Sequence, residues 1–238
     1  MTKRPVFKIN AHSPFFKESN IEFQFLSGYG MSEQIKSMKN LHQAYHRRFP
    51  EDRILEVSTR SETPLGTQLS AFNLLFRHQA LTHPIPVENV FQSGKVFEYG
   101  GPYTDLLEKT PREAKKDSRL RSSGNLKEFR LMGESFPLEP KTFFYDWIYI
   151  NALHQNPELA GQLKEYQAFT DIAFNPAGSI NCQARSCAIY VSLCLSGQLE
   201  QALHSRNNFL AVVYGRQDKP EIAEYQEDQG KQLSFDDM

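Results

Sequence analysis

Pro84 and Pro86 dictate how the middle of this chain can turn. Proline presets φ and is tolerated in the first helical turn, where its missing N–H is no loss, so an extended approach through Pro84 gives way to a helix at about Pro86. The run that follows, Val87-Glu88-Asn89-Val90-Phe91-Gln92-Ser93-Gly94-Lys95, puts Glu88, Gln92 and Lys95 at i, i+4 and i+7. On a helix, a carboxylate, an amide and an ammonium then share one face, with Phe91 beside them. Gly94 inside such a helix costs on the order of 1 kcal/mol against alanine, which a solvated helix has no reason to accept; a ligand or another backbone coming close would be a reason. An ordinary surface helix with charges at these spacings fits the same pattern. In either case Gly100-Gly101-Pro102 is read as the stop of this helix.

Composition bounds the rest. At 238 residues, 39% of them hydrophobic and 23% charged, the chain suits one large globular domain or two small ones, and no boundary demands two. A net charge of −1 excludes a global basic field, so any contact with nucleic acid must be local. Met1-Thr2-Lys3-Arg4-Pro5 leads into no apolar stretch of signal-peptide length, and no membrane-spanning run appears, so the expectation is a soluble cytoplasmic protein without membrane contact. Cys182, Cys187 and Cys194 are odd in number, form no CxxC and sit in an apolar segment; they read as buried free thiols, not as a disulfide or metal site. His42 and His46 have a metal-ligand spacing but no third ligand nearby, so they are read as exposed or capping, and neither metal nor cofactor is expected.

Along the chain, Phe7 to Phe25 reads as extended, with Ile21 to Phe25 alternating like a half-buried strand. Ser32 is expected to cap a helix carrying Ile35, Met38, Leu41 and Tyr45, ending before Pro50, and Arg53 to Ser58 to form a short strand. Asn73 stands in the apolar run Leu69 to Phe76, where an amide must find partners or cost about 1–3 kcal/mol. Between Lys109 and Arg130 stand eight basic residues against three acidic ones, a pattern that fits a solvated charged helix and a phosphate-facing patch equally well. Phe143, Trp147 and Ile150 share a helical face fit for a core, and Asp146 beside them reads as a buried structural carboxylate. Pro157 opens a helix to about Tyr166. Thr170 to Ser186 has the form of an irregular loop leading through Gly178-Ser179 into a helix, a place where backbone N–H groups suit phosphate. Cys187 to Leu203 is expected to be a buried helix, although Ile189, Tyr190 and Val191 also suit a strand. From Arg216 on there are seven acidic residues against three basic, with no apolar face, which reads as a mobile tail whose Gln232-Leu233-Ser234-Phe235 faintly resembles sliding-clamp-binding peptides.

The run Val87 to Lys95 resembles the hallmark helix of the NADAR superfamily: a glutamate at its start, an aromatic-Gln pair, then a lysine. Leu69-Ser70-Ala71-Phe72-Asn73-Leu74, Thr110 to Lys116 and Asp171 to Ser186 follow the family's order. Lys95 to Tyr103, Pro140 to Trp147 and Phe169 to Pro176 resemble one branch more closely, the antitoxins encoded beside DarT-type toxins that ADP-ribosylate guanine in DNA. The resemblance runs from about Ile21 to about Leu195, most of the chain. It implies a single α+β, helix-rich NADAR-like domain with a few short strands, over about 21–215, after an extended segment 1–20 and before the acidic tail 216–238.

The same resemblance implies a hydrolase that strips ADP-ribose from guanine bases in DNA and counters a DarT-type toxin, with ADP-ribosylated DNA and ADP-ribose as its ligands. Glu88, Lys95 and Asp171 are then the catalytic candidates. Phe72 and Asn73 would wall the pocket together with Gln92, Tyr103 and Phe136, the last standing where other NADAR enzymes place a tryptophan. Phe174, Gly178, Ser179, Asn181 and Arg185 would hold the substrate from the late loop. Breaking a ribose–amine bond passes through an oxocarbenium-like state, which needs a negative charge near the anomeric carbon and a proton for the leaving amine. Glu88 is expected to activate water or move the proton, and Asp171 to hold the ribose and stabilise positive charge. Lys95 either contacts phosphate or attacks the ring-opened sugar as an amine. Two other readings stay open: an N-glycosidase acting on ribosylamine intermediates of riboflavin synthesis, and an antitoxin that binds ADP-ribose without cleaving.

Overall fold

Thr2–Ile9 and Phe16–Phe23 pair antiparallel along their whole length, from Thr2 opposite Phe23 to Ile9 opposite Phe16. They form one side of a four-stranded sheet in which Ala168–Thr170 lies antiparallel to Thr2–Ile9 and parallel to Ile54–Glu56. This is a computed structural model, which describes residues 1–26, 28, 30–176 and 179–216. Gly178 and the acidic segment 217–238, including the clamp-like peptide, lie outside the described residues.

Because side chains alternate across a strand, neighbours in the sheet go to opposite cores. Val6, Ile21, Phe23 and Ala168 face the Met31–His46 helix, which covers them with Met38, Leu41 and Tyr45. Phe7, Leu55 and Phe169 face the larger core, built around the helices Gln183–Leu195 and Phe143–His154. The expected alternation is present from Ile21 to Phe23, where the strand ends; Phe25 lies beyond it and is exposed, and Ile189 to Val191 are helical. Helices and short strands alternate along the chain, an α+β fold. Cys182 and Cys187 are buried thiols and Cys194 is half-buried.

Several boundaries differ from the sequence expectation for identifiable reasons. The first helix has Gly30 at its N-cap, while Ser32 lies within the helix and donates to Glu33 instead of capping. Pro86 does precede a helix, but Val87–Ser93 ends at Gly94, and Lys95–Phe97 is a strand paired with Leu126–Leu131. Gly94 is there because of crowding: a Cβ would lie 2.8 Å from Phe144 Cζ and 3.0 Å from the Arg130 carbonyl. Gly100-Gly101-Pro102 consequently ends no helix; it follows the strand, with the Gly100 carbonyl accepting from Phe97 N at 2.7 Å. The basic run is broken into Pro111–Lys116, Arg119–Ser122 and the strand Leu126–Leu131, and the helix after Pro157 stops at Leu163. His42 neither caps nor lies open: its Nε2 is 2.7 Å from Thr170 Oγ1, and burial pulls its pKa down to about 4.

Candidate functional site

The carboxyl ends of the parallel strands Ile54–Glu56 and Ala168–Thr170 open into a cavity of about 1060 Å³, the position at which open α/β sheets take ligands. From the first strand end come Ser58, Thr59 and Arg60; from the second, Asp171, Ala173 and Phe174. The Val87–Ser93 helix contributes Glu88, Phe91 and Gln92 to the same wall. Gln183 ties these pieces together, its Oε1 accepting from Ala71 N at 2.7 Å and its Nε2 donating to the Val57 carbonyl at 2.5 Å. A second brace is Tyr149, whose hydroxyl donates to the Leu69 carbonyl at 2.6 Å.

Glu88 is 5% exposed, and that sliver faces the cavity. Its Oε1 accepts from Gln92 Nε2 at 2.8 Å and lies 3.5 Å from the Lys115 ammonium. Gln92 in turn accepts from Lys95 Nζ at 2.7 Å, so Lys95 joins the stripe from the following strand instead of from the helix. Lys95 Nζ also sits 4.7 Å from the centre of the Phe91 ring, and burial pulls its pKa down to about 8 although Glu88 opposes the shift. Asp171 reaches the cavity from the end of the strand Ala168–Thr170. Its Oδ1 accepts from Ala173 N at 3.0 Å and Phe174 N at 3.2 Å, yet burial and the charge of Glu56 push its carboxyl up to about 8. Two carboxyls distant in sequence, at 88 and 171, therefore border one space with an amine between basic and aromatic neighbours.

Over residues 2–222 the sequence matches the family described as DarT1-associated NADAR antitoxins. The chain belongs to this family. No curated protein matches it.

In this NADAR antitoxin Phe72, Gln92, Phe174, Ser179 and Asn181 line the cavity with the three catalytic candidates. Four expected contacts lie off its wall. Asn73 points outward and donates to the Thr67 carbonyl at 2.8 Å, because Ser70 to Leu74 is a turn and does not repeat like a helix. Tyr103 is held by Ser123 and lies under the Arg119 guanidinium, 4.4 Å from its ring. Phe136 is sealed in the core against Phe143 and Phe144. Arg185 is the counter-ion of the fully buried Asp146, at 2.9 Å, in a cluster with Ser186 and Tyr214.

The structure also adds lining residues that the sequence did not single out: Ser58, Arg60, Ser70, Lys141 and Tyr145. Ser70 Oγ and Asn181 Oδ1 are buried with no hydrogen-bond partner among the described residues, which makes them available to hydroxyl groups of a ligand. No group of three or more His, Cys, Asp or Glu suited to a metal occurs among the described residues, and none of their helices is long and apolar enough to cross a membrane.

Proposed function

We propose that this antitoxin hydrolyses the bond between ADP-ribose and a guanine base in DNA, reversing modification by a DarT-type toxin. The observation that carries the reading is that Glu88 and Asp171 both line one nucleotide-sized cavity. Water enters and ADP-ribose and the guanine amine leave. Asp171, with its carboxyl raised to about 8, retains its proton at neutral pH and suits donation to the departing amine. Glu88 is then the negative group near the anomeric carbon, held in place by Gln92 and Lys115. This exchanges part of the roles that the sequence suggests for the two carboxyls. Lys95 lies within reach of the same chemistry, and Arg60 and Lys141 supply positive charge for the pyrophosphate.

DNA is favoured over a small ribosylamine by Arg112, Lys116, Arg121 and Lys127, which have no ion-pair partner among the described residues; Lys109, Lys115, Arg119 and Arg130 are paired. The test is incubation with an ADP-ribosylated oligonucleotide. Free ADP-ribose should appear, and Glu88→Gln should slow its release by about 100-fold or more. An oligonucleotide that stays modified while binding tightly would instead establish a reader that sequesters the lesion.

A further inference from the structure

Glu56 is a carboxyl that the cavity does not touch. It is 2% exposed and stands opposite Thr170 in parallel register. Three donors converge on it: Ser58 Oγ at 2.5 Å and Ile172 N at 2.9 Å on Oε1, and Thr170 Oγ1 at 2.7 Å on Oε2. Thr170 Oγ1, its hydrogen committed to Glu56, accepts from His42 Nε2 at 2.7 Å. Two of the three donors belong to the residues on either side of Asp171. No lysine or arginine pairs with Glu56 among the described residues. Burial raises the Glu56 carboxyl above its ordinary range, and a neutral amide would brace the same strand end at lower cost, so an ionisable group at this place asks for a role.

We propose that Glu56 is a positioning residue for the reaction: it clamps Thr170 and Ile172 so that Asp171 faces the cavity, and its uncompensated charge keeps on Asp171 the proton that the departing amine needs. The inference rests on Asp171 being the proton donor of the proposed hydrolysis. Around Asp171 stand Glu56 from the neighbouring strand, Lys115 from the Pro111–Lys116 helix, Tyr145 and Tyr149 from Phe143–His154, and Cys182 and Cys187 at the Gln183–Leu195 helix. The tyrosines and thiols are held in their neutral forms by burial, and Lys115 acts against retention of the proton. Burial is the main cause that keeps the proton on Asp171, and the charge of Glu56 adds to it; burial raises the Glu56 carboxyl as well, with its three donors opposing that shift.

The test is carbon-13 NMR of protein labelled at aspartate, with the Asp171 carboxyl identified by its loss in Asp171→Asn. Its midpoint should lie near 8 in the wild type and fall by about one unit or more in Glu56→Gln, a tenfold change in proton affinity. The alkaline limb of ADP-ribose release from a modified oligonucleotide should move with it, which a merely structural role would not produce. An unchanged midpoint, or a shifted midpoint with an unshifted rate profile, overturns the proposal. Thr170→Val, which removes the donor on Oε2 and drives Glu56 toward its neutral form, should lower the midpoint as well and serves if Glu56→Gln does not fold. If the wild type releases no ADP-ribose, the hydrolase reading falls, while the carboxyl titration still decides whether Glu56 governs Asp171.

Discussion

Lys95 should react as an amine where an ordinary lysine would not. Burial against Phe91 and Gln92 sets its pKa at about 8, down from 10.5, with Glu88 opposing and Lys115 assisting. At pH 7 such a group is about one-tenth neutral, against roughly one part in three thousand for a free lysine, an increase in nucleophile of about 300-fold. Attack of the Lys95 amine on C1 of the ring-opened sugar, an imine of the guanine amine, forms the C1–Nζ bond and breaks the C1–N bond to guanine. Guanine leaves as its amine with the two hydrogens that Lys95 gives up; water then hydrolyses the Lys95 imine to ADP-ribose and the free lysine. A mild borohydride reductant added during turnover of ADP-ribosyl-guanosine converts that imine to a stable secondary amine, which peptide mass spectrometry locates. The yield on Lys95 should rise about tenfold between pH 6 and pH 7, following the neutral fraction of a group at about 8, and stop rising above pH 8, where Asp171 loses the proton that the departing amine needs. Lys95→Arg, which stays charged, should give no adduct. Turnover without any adduct refutes attack by this amine, and a yield still climbing through pH 10 refutes the depressed pKa from which the magnitude is worked.

Three further outcomes are expected. Gly94→Ala should destabilise the fold by about 1–3 kcal/mol in chemical denaturation, through overpacking against Phe144 and the Arg130 carbonyl and not through backbone strain, since Gly94 has φ −73°. Asp146→Ala should cost about 3–5 kcal/mol, because it strands Arg185 in the interior; if Arg185 serves the substrate instead, the stability loss will be small and the loss of activity large. Replacing Arg112, Lys116, Arg121 and Lys127 together by glutamine should weaken binding of modified DNA and flatten its salt dependence by about 0.7–0.9 per lost phosphate contact, while leaving hydrolysis of ADP-ribosyl-guanosine unchanged; equal losses on both substrates would remove this surface from the DNA path.

The parts of the site legible in the sequence are those set by local rules. Helical spacing predicts that Glu88 and Gln92 share a face, and they are joined by a hydrogen bond. Lys95 reaches that face although the helix ends before it, because a lysine at the first position of the next strand still spans back to Gln92. Where local periodicity does not apply, the reading departs from the fold: in the Ser70–Leu74 turn, Phe72 lines the cavity while its neighbour Asn73 bonds outward to Thr67. Glu56, Ser58 and Arg60 were not legible because their place depends on strand Ile54–Glu56 pairing with Ala168–Thr170, a contact across more than a hundred residues that no local pattern encodes. Arg185 carries a different lesson, since the fully buried Asp146 claims the nearest cation before any substrate can.

In the proposed reaction the three carboxyls near the site take different tasks from their neighbours alone. Glu88 faces an ammonium and an amide N–H, so its environment supports negative charge. Asp171 has two backbone N–H groups, but burial first and the charge of a second carboxyl, Glu56, after it outweigh those donors. Glu56 has donors from three different residues and no access to the cavity, so it can act on the reaction only through Asp171. Cleavage of a ribose–amine bond requires a proton donor and an anionic partner at one cavity, and in the proposed reaction both arise from residues of one chemical class placed in unlike surroundings.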